Sequence, residues 1–298
     1  MASAASRRLI QAGKMDYTDV HLSHFARGMM YGFYGEIDLA VVEVTRICPD
    51  GSVVLSASVG VSVEALARAR AIVLEVNTAI PDLTGLHDIV LPPAPPTIGW
   101  PVPVTGVRDR VGLPYVLLDP AKVVAVVESQ QPDYPVQFKA DGGVCKQIAQ
   151  HVIAFLVECR DRFGWHHWVP PLQSGVGNIA NAVLACLAQD DRFHEIEMYT
   201  EVVQDSIFDL LDADKLRFAS TSALTFSSEG TARLHREIDE LRAKFVIRPQ
   251  EISNNPEVIR RMGIIATEML RKALELGSRG RRMSLGGVRD EAEIRGHR

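Results

Sequence analysis

A segment with two glycines in the second half of the sequence has the pattern of a ligand-binding turn. Gly175 and Gly177 fall between a predicted strand and the predicted helix that follows it. Glycines there let the backbone approach a ligand closely, and the unpaired amides at a helix N-terminus favour an anion or an oxyanion. An ordinary tight turn is the alternative interpretation, because two glycines alone are a weak signal.

Known nucleotide-binding and hydrolase motifs do not fit this segment. Position 180 is alanine where a dinucleotide fingerprint has its third glycine, and no acidic residue follows at the distance of the ribose ligand. The phosphate-binding pattern GxxxxGK followed by Ser or Thr is absent, and so is the hydrolase pattern GxSxG. The sequence therefore argues against an NAD-dependent enzyme and against both of these motif-defined classes.

Glu201 is a candidate nucleophile or general base. It lies near the end of a strand-like run at 196–202, in which Glu197, Tyr199 and Glu201 share one face. Open α/β sheets bind ligands at the carboxyl ends of their parallel strands, and a partly desolvated carboxylate there can attack a carbonyl or accept a proton. A solvated surface position is the alternative, since most of the 37 acidic residues are expected at the surface.

A polar segment at 247–257 joins a predicted strand to a predicted helix. Ser253 or Asn255 could cap that helix, and Pro256 suits its first turn. Capping alone would explain most of the polarity of this segment.

Composition limits the classes of function that the chain can have. The 298 residues are 47% hydrophobic and 23% charged, with a net charge of −5, which is typical of a globular protein and argues against nucleic acid as a partner. The cysteines and histidines lack metal-ligand spacing, so we expect no metal site. Apolar runs such as 123–127 are too short to span a membrane, and the N-terminus lacks a secretory signal. We expect a cytoplasmic protein, or a mitochondrial one if the source is eukaryotic.

Alternation of strand-like and helical patterns predicts an α/β fold with mostly parallel sheets. In the first half, the pattern predicts strands at 37–47, 53–55, 71–76 and 123–127 and a helix at 63–70. A proline-rich stretch at 91–103 predicts an extended connection, and the polar stretch at 130–143 predicts a domain boundary. The predicted domains are therefore residues 1–132 and 133–298.

The second half repeats the alternation. Apolar residues at helical spacing in 144–159 predict a helix whose buried face carries Val144, Ile148, Val152, Phe155, Leu156 and Cys159. The other predicted helices are at 172–187 (after a glycine turn), 206–211 and 231–244, and the predicted strands are at 196–202, 217–222 and 245–247. The arginine-rich residues 279–298 predict a loose basic tail.

Several segments together resemble the acetyl-CoA hydrolase/acetate:succinate CoA-transferase family of class I CoA-transferases. They are DYTDVHLSHFARGMMYGFYGEIDLAVVE (16–43), EVNTAIPDLTGLHDI (75–89), PLQSGVGNIANAVL (171–184), MYTEVVQD (198–205), FAST (218–221) and RPQEISNNPEVIRRMGII (248–265). The resemblance implies two related, open, mostly parallel α/β domains with the active site between them. It also implies that the first domain is incomplete at its N-terminus and the second at its C-terminus, with a divergent tail from about residue 266.

The resemblance assigns roles to residues of this sequence. The family's catalytic glutamate matches Glu201, and the asparagine that lines its site matches Asn254. Its CoA-binding turn matches Leu172, Gln173, Ser174, Gly175, Val176, Gly177 and Asn178. The implied reaction passes through a glutamyl-CoA thioester, with CoA as a substrate and without a metal or other cofactor.

The partners implied are acetyl-CoA or succinyl-CoA, small carboxylates and further copies of the chain in a homo-oligomer, without nucleic acid or membrane. Hydrolase and transferase remain open, because they differ only in whether water intercepts an intermediate. The alternative function is that of a truncated, non-catalytic paralogue that binds a full-length CoA-transferase. The implied truncation leads us to expect weak transfer activity and self-association.

Overall fold

The structure is a computed structural model that describes residues 4–91, 102–132, 143–165 and 169–263. In this part of the chain, no helix combines the length and the apolar character that crossing a membrane requires. The proline-rich connection, the domain boundary and the basic tail predicted from the sequence lie largely or wholly outside the described residues.

In the described residues, the first unit comprises a four-stranded sheet and three helices. The helices are α1 (Ala4–Gln11), α2 (Leu22–Met30) and α3 (Ser62–Arg68), and the strands are β1 (Leu39–Ile47), β2 (Val53–Leu55), β3 (Ala71–Asn77) and β4 (Val123–Ser129). A single 3₁₀ turn, Pro120–Lys122, precedes β4. The strand order is β2-β1-β3-β4, in which β1, β3 and β4 are parallel and β2 is antiparallel to β1.

Local sequence explains why this sheet forms. Strand β1 alternates buried Ala40, Val42 and Val44 with more exposed neighbours, the period of a strand with one packed face. The turn into β2 is closed by Asp50, whose Oδ1 accepts hydrogen bonds from the backbone amide and the hydroxyl of Ser52. This confirms the predicted strand–turn–strand unit.

The described part of the second unit contains two parallel sheets and six helices. Its helices are α4 (Val144–Phe163), α5 (Asn178–Gln189), α6 (Ile207–Asp212), α7 (Ser228–Leu241), α8 (Gln250–Ser253) and α9 (Pro256–Met262). Its strands are β5 (Ile196–Tyr199), β6 (Val202–Val203), β7 (Leu216–Thr221), β8 (Ala223–Leu224) and β9 (Phe245–Ile247). The sheets have the orders β5-β7-β9 and β6-β8, and all of these pairs are parallel. The predicted mostly parallel α/β fold is therefore confirmed.

Three predictions about this unit were wrong in detail. The helix predicted at 172–187 begins only at Asn178, because Leu172 pairs with Met198 and the glycine turn follows it. The strand predicted at 196–202 is two short strands in different sheets, because the chain bends at Thr200 and Glu201. The buried face of α4 is formed by Ala149, Ile153, Leu156 and Cys159, whereas Val144 and Phe155 are exposed. The apolar residues of α4 extend beyond one stripe, so packing against α5 decides which of them are buried.

The two units share a hydrophobic core and are also connected by hydrogen bonds between their backbones. Residue 87 pairs in parallel with Ile247, which extends the β5-β7-β9 sheet by a segment of the first unit. The amide of Val59 donates to the carbonyl of Ser222 at 3.0 Å, and the amide of Gln250 donates to the carbonyl of Gly60 at 2.8 Å. Residues 57–60 of the first unit therefore lie against the ends of the β-strands of the second.

Candidate active site

Glu201 occupies the bend between β5 and β6, and its backbone is held firmly there. Its carbonyl oxygen accepts hydrogen bonds from the amides of Ser222 (2.9 Å) and Ala223 (3.1 Å) and from the hydroxyl of Thr221 (2.9 Å). These three donors lie at the junction of β7 and β8, the strands beside β5 and β6. The bend thus lies at the carboxyl end of the parallel strands, as the sequence predicted for Glu201.

The side chain of Glu201 is half-buried, and burial raises the pKa of its carboxyl group above the ordinary range. The carboxamide of Asn254, which follows α8, lies close enough to lower this pKa and so opposes part of the effect of burial. Nδ2 of Asn254 is buried and completes no hydrogen bond of good geometry. A carboxamide that is near a carboxylate but imperfectly aligned with it retains donor capacity for a ligand.

The turn at 173–177 is fixed to the residue before Glu201. Leu172 pairs with Met198 on the outer side of β5, and its side chain is part of the hydrophobic core. The hydroxyl of Thr200 donates to the carbonyl of Ser174 at 2.6 Å. The glycine turn is thereby held beside the bend that carries Glu201.

Gly177 is required by the backbone at the start of α5. Its φ of +148° and ψ of 169° lie in a region that is essentially confined to glycine. A glycine at this position supplies no capping side chain, so the first amides of the twelve-residue helix α5 depend on other acceptors. A helix N-terminus of this kind favours an anionic group on a ligand.

Asn255 rather than Ser253 caps helix α9. Its Oδ1 accepts from the amides of Glu257 (3.0 Å) and Val258 (3.4 Å), and Pro256 occupies the first helical position. Ser253 is instead the last residue of α8, with its hydroxyl buried. The sequence offered both residues as caps, and the structure selects one of them.

Sequence analysis missed the buried charged residues that support the site. Arg248 and Asp88 form an ion pair (Nη1–Oδ2 3.0 Å) at 0% and 1% side-chain exposure, and the Arg248 amide donates to the carbonyl of Thr221 at 2.7 Å. Glu251 of α8 and Glu64 of α3 are also buried. The only sequence signal for Arg248 and Glu251 was their place in the polar segment 247–257, and Glu64 resembles an ordinary acidic residue in the first turn of a helix.

The structure therefore brings Glu201 and Asn254 together and places the glycine turn beside them. Among the described residues, no group of three or more His, Cys, Asp and Glu side chains is arranged to hold a metal ion. The assembly offers a half-buried carboxylate, a nearby amide donor and a helix N-terminus, which suits nucleophilic attack on a carbonyl with stabilisation of an oxyanion.

Comparison with known sequences identifies related proteins over most of the chain. Residues 2–128 match the model of the acetyl-CoA hydrolase/transferase N-terminal domain. Propanoyl-CoA:succinate CoA transferase from Escherichia coli is 41% identical over 269 residues, which are 89% of this chain and 54% of that protein. Acetyl-CoA hydrolase from Schizosaccharomyces pombe is 40% identical over 272 residues, which are 86% of this chain and 50% of that protein. The chain thus spans about half the length of these curated relatives.

Solved structures share the fold at lower sequence identity. RipA from Yersinia pestis superposes with a TM-score of 0.58 at 20% identity, covering 88% of this chain and 53% of that one. A 4-hydroxybutyrate CoA-transferase from Porphyromonas gingivalis superposes with a TM-score of 0.56 at 18% identity, covering 86% and 56%.

Proposed function

Since the chain belongs to the acetyl-CoA hydrolase and CoA-transferase family, we propose that it moves CoA between a short acyl group and a carboxylate, with Glu201 as the nucleophile. The observation that carries the proposal is the half-buried Glu201 carboxylate at the strand-end bend, next to Asn254. Acetyl-CoA and propanoyl-CoA as acyl donors, and succinate as acceptor, are suggested by the names of the relatives.

In the proposed reaction, the Glu201 carboxylate attacks the thioester carbonyl of the acyl-CoA. The tetrahedral oxyanion collapses with departure of the CoA thiolate and leaves an acyl-glutamyl anhydride. The thiolate then attacks the glutamyl carbonyl, which releases the free carboxylate and leaves Glu201 as a CoA thioester. A second carboxylate reverses these steps, leaves as its CoA ester and restores Glu201, whereas attack by water gives net hydrolysis.

The surrounding residues would hold the reacting groups. Nδ2 of Asn254 would donate to the oxyanion that forms next to Glu201, since this amide is buried and its hydrogen-bonding capacity is not used fully. The turn from Gln173 to Asn178, at the N-terminus of α5, would bind the thioester oxygen and CoA through backbone amides. Fixing the turn to Thr200 keeps this binding surface and the nucleophile in register.

Kinetics of matched variants test this proposal. We expect Glu201→Gln to lower the rate of CoA transfer from acetyl-CoA to succinate by at least about a thousandfold, because a carboxamide cannot replace the nucleophile. Glu201→Asp should also be severely impaired, because the shorter side chain withdraws the carboxylate from the thioester. Glu197→Gln is the control: Glu197 lies on β5 and pairs with Arg217 away from the bend, so its transfer rate should stay within about twofold of the parent. A Glu201→Gln variant as active as the control would overturn the assignment.

A further inference from the structure

A buried acidic pair lies behind the helix that leads to Asn254. Helix α2 packs against both α3 and α8, and the three helices enclose Glu251 of α8 and Glu64 of α3. Oε1 of Glu251 accepts from Nη2 of Arg27 at 2.6 Å, and its Oε2 is buried without a partner. Glu64 is 0% exposed, and neither of its carboxyl oxygens has a hydrogen-bond partner. Glu251 therefore has a cationic partner, whereas the Glu64 carboxyl group has none among the described residues.

Burial favours the uncharged form of the Glu64 carboxyl group. Burial, reinforced by the negative charge of Glu251, raises the pKa of Glu64 to about 7. The other charged side chains of α2, α3 and α9 are exposed and do not neutralise it: His24, Arg68, Glu257, Arg260 and Arg261. An uncharged Glu64 leaves the Arg27–Glu251 ion pair undisturbed, whereas an ionised Glu64 would place a second, unpaired charge beside Glu251.

Helix α8 carries Glu251 and is hydrogen-bonded to the segment that leads into α3. Its first amide, that of Gln250, donates to the carbonyl of Gly60, two residues before the start of α3. Its last turn ends with the amide of Asn254 donating to the carbonyl of Gln250 at 2.9 Å. A helix of only four residues is one turn long, so a displacement at Glu251 is transmitted to the Asn254 side chain.

We propose that Glu64 is a positioning residue for the Glu201 site: its neutral carboxyl group keeps Glu251 paired with Arg27, and this pairing sets where the Asn254 carboxamide lies against Glu201. The inference rests on the proposed role of Glu201 only for its effect on turnover. The geometric coupling from Glu64 to Asn254 exists whether or not the chain is active, and it can be measured separately.

The test is an NMR titration of the whole chain that requires no turnover. Glutamate labelled with ¹³C at the carboxyl carbon reports the titration of Glu64, and the ¹⁵N-labelled side-chain amide of Asn254 reports its surroundings. We expect the Asn254 resonance to shift with a midpoint near that of Glu64, about pH 7, in addition to the step caused by Glu201. Glu64→Gln keeps position 64 uncharged at every pH. It should abolish the step of the Asn254 resonance near pH 7 and keep the step caused by Glu201. Glu36→Gln, a change at an exposed carboxylate, should keep both.

A second variant, Glu251→Gln, tests the proposal independently if Glu64→Gln does not fold. Glu251→Gln removes the neighbouring negative charge, so the midpoint of Glu64 should fall and the corresponding step of Asn254 should fall with it. If the Asn254 resonance fails to follow Glu64 in the parent, or keeps its step near pH 7 in Glu64→Gln, the proposal is overturned. In an active chain, we expect kcat of the parent to fall above pH 7, and we expect Glu64→Gln to remove this fall. An inactive parent whose Asn254 follows Glu64 would contradict the proposed function and leave the coupling established.

Discussion

Replacing Arg248 by methionine should destabilise the protein strongly. The guanidinium is fully buried: Nη1 pairs with Oδ2 of Asp88, and Nη2 donates to the carbonyls of Val107 and Asp109. These contacts fasten the segment 107–112 of the first unit to the end of β9 in the second. Methionine has a similar length and fills much of the same space, so the substitution removes chiefly the charge and its hydrogen bonds.

The magnitude follows from what remains after the substitution. Removing one partner of a buried ion pair costs about 3–5 kcal/mol, because the other charge is left buried without compensation. Oδ1 of Asp88 still accepts from the amides of Val111 (2.9 Å) and Gly112 (2.6 Å), which keeps part of its charge stabilised. We therefore expect a loss near the lower end, about 3 kcal/mol, which is about a hundredfold in the ratio of folded to unfolded protein.

Urea denaturation followed by far-ultraviolet circular dichroism measures this loss. The matched control is Arg70→Met, which breaks exposed ion pairs with Glu36 and Asp38 and should cost at most about 1 kcal/mol. Asp88→Asn combined with Arg248→Met should cost less than the sum of the single changes, because each single variant leaves one buried charge unpaired and the double variant leaves none. Equal midpoints for Arg248→Met and Arg70→Met would refute the reasoning that this pair holds the two units together.

Other substitutions near the site have expected outcomes of different kinds. Gly177→Ala should lower the free energy of unfolding by about 1–3 kcal/mol in urea titrations, because the φ of +148° at this position is strained for any residue with a side chain. A smaller loss, of the size that an ordinary surface substitution causes, would contradict this. Thr200→Val removes the hydrogen bond to the Ser174 carbonyl and should raise KM for acetyl-CoA several-fold, while Thr78→Val, at an exposed threonine, should leave KM unchanged. Burial lowers the pKa of His87 to about 4. Between about pH 6.5 and pH 4 the unfolded chain therefore binds a proton at His87 that the folded chain does not. The free energy of unfolding should fall by up to about 3 kcal/mol as the pH drops through this range. His87→Gln should remove this part of the loss of unfolding free energy at acid pH. The same pH dependence in His87→Gln as in the parent would contradict the assignment to His87.

The elements of the fold were predictable where a single periodicity dominates. Strands β1, β3, β7 and β9 and helix α7 lie within a few residues of their predicted positions, because alternation or helical spacing is carried by their own side chains. The family resemblance that the sequence suggested is confirmed by relatives of about 40% identity. The division into residues 1–132 and 133–298 stays a prediction.

Other features depend on contacts that no local pattern encodes. The bend at Glu201 is imposed by donors from the end of β7, so residues that read as one strand divide between two sheets. Glu64 has the pattern of a surface carboxylate, since acidic residues are common in first helical turns. It is buried in a region where α2, distant in sequence, packs against both α3 and α8. Tertiary packing overrides local preference at both of these positions.

Covalent trapping at Glu201 tests the central claim most directly. The full chain would be incubated with acetyl-CoA, reduced with borohydride, digested and mapped by mass spectrometry. Because borohydride reduces a thioester but leaves a free carboxylate intact, a glutamyl-CoA intermediate becomes a permanent alcohol at the residue that carried it. The account predicts reduction at Glu201 that requires acetyl-CoA and is absent from Glu201→Gln. A chain that turns over acetyl-CoA without reduction at Glu201, or with reduction at another carboxylate, would contradict it.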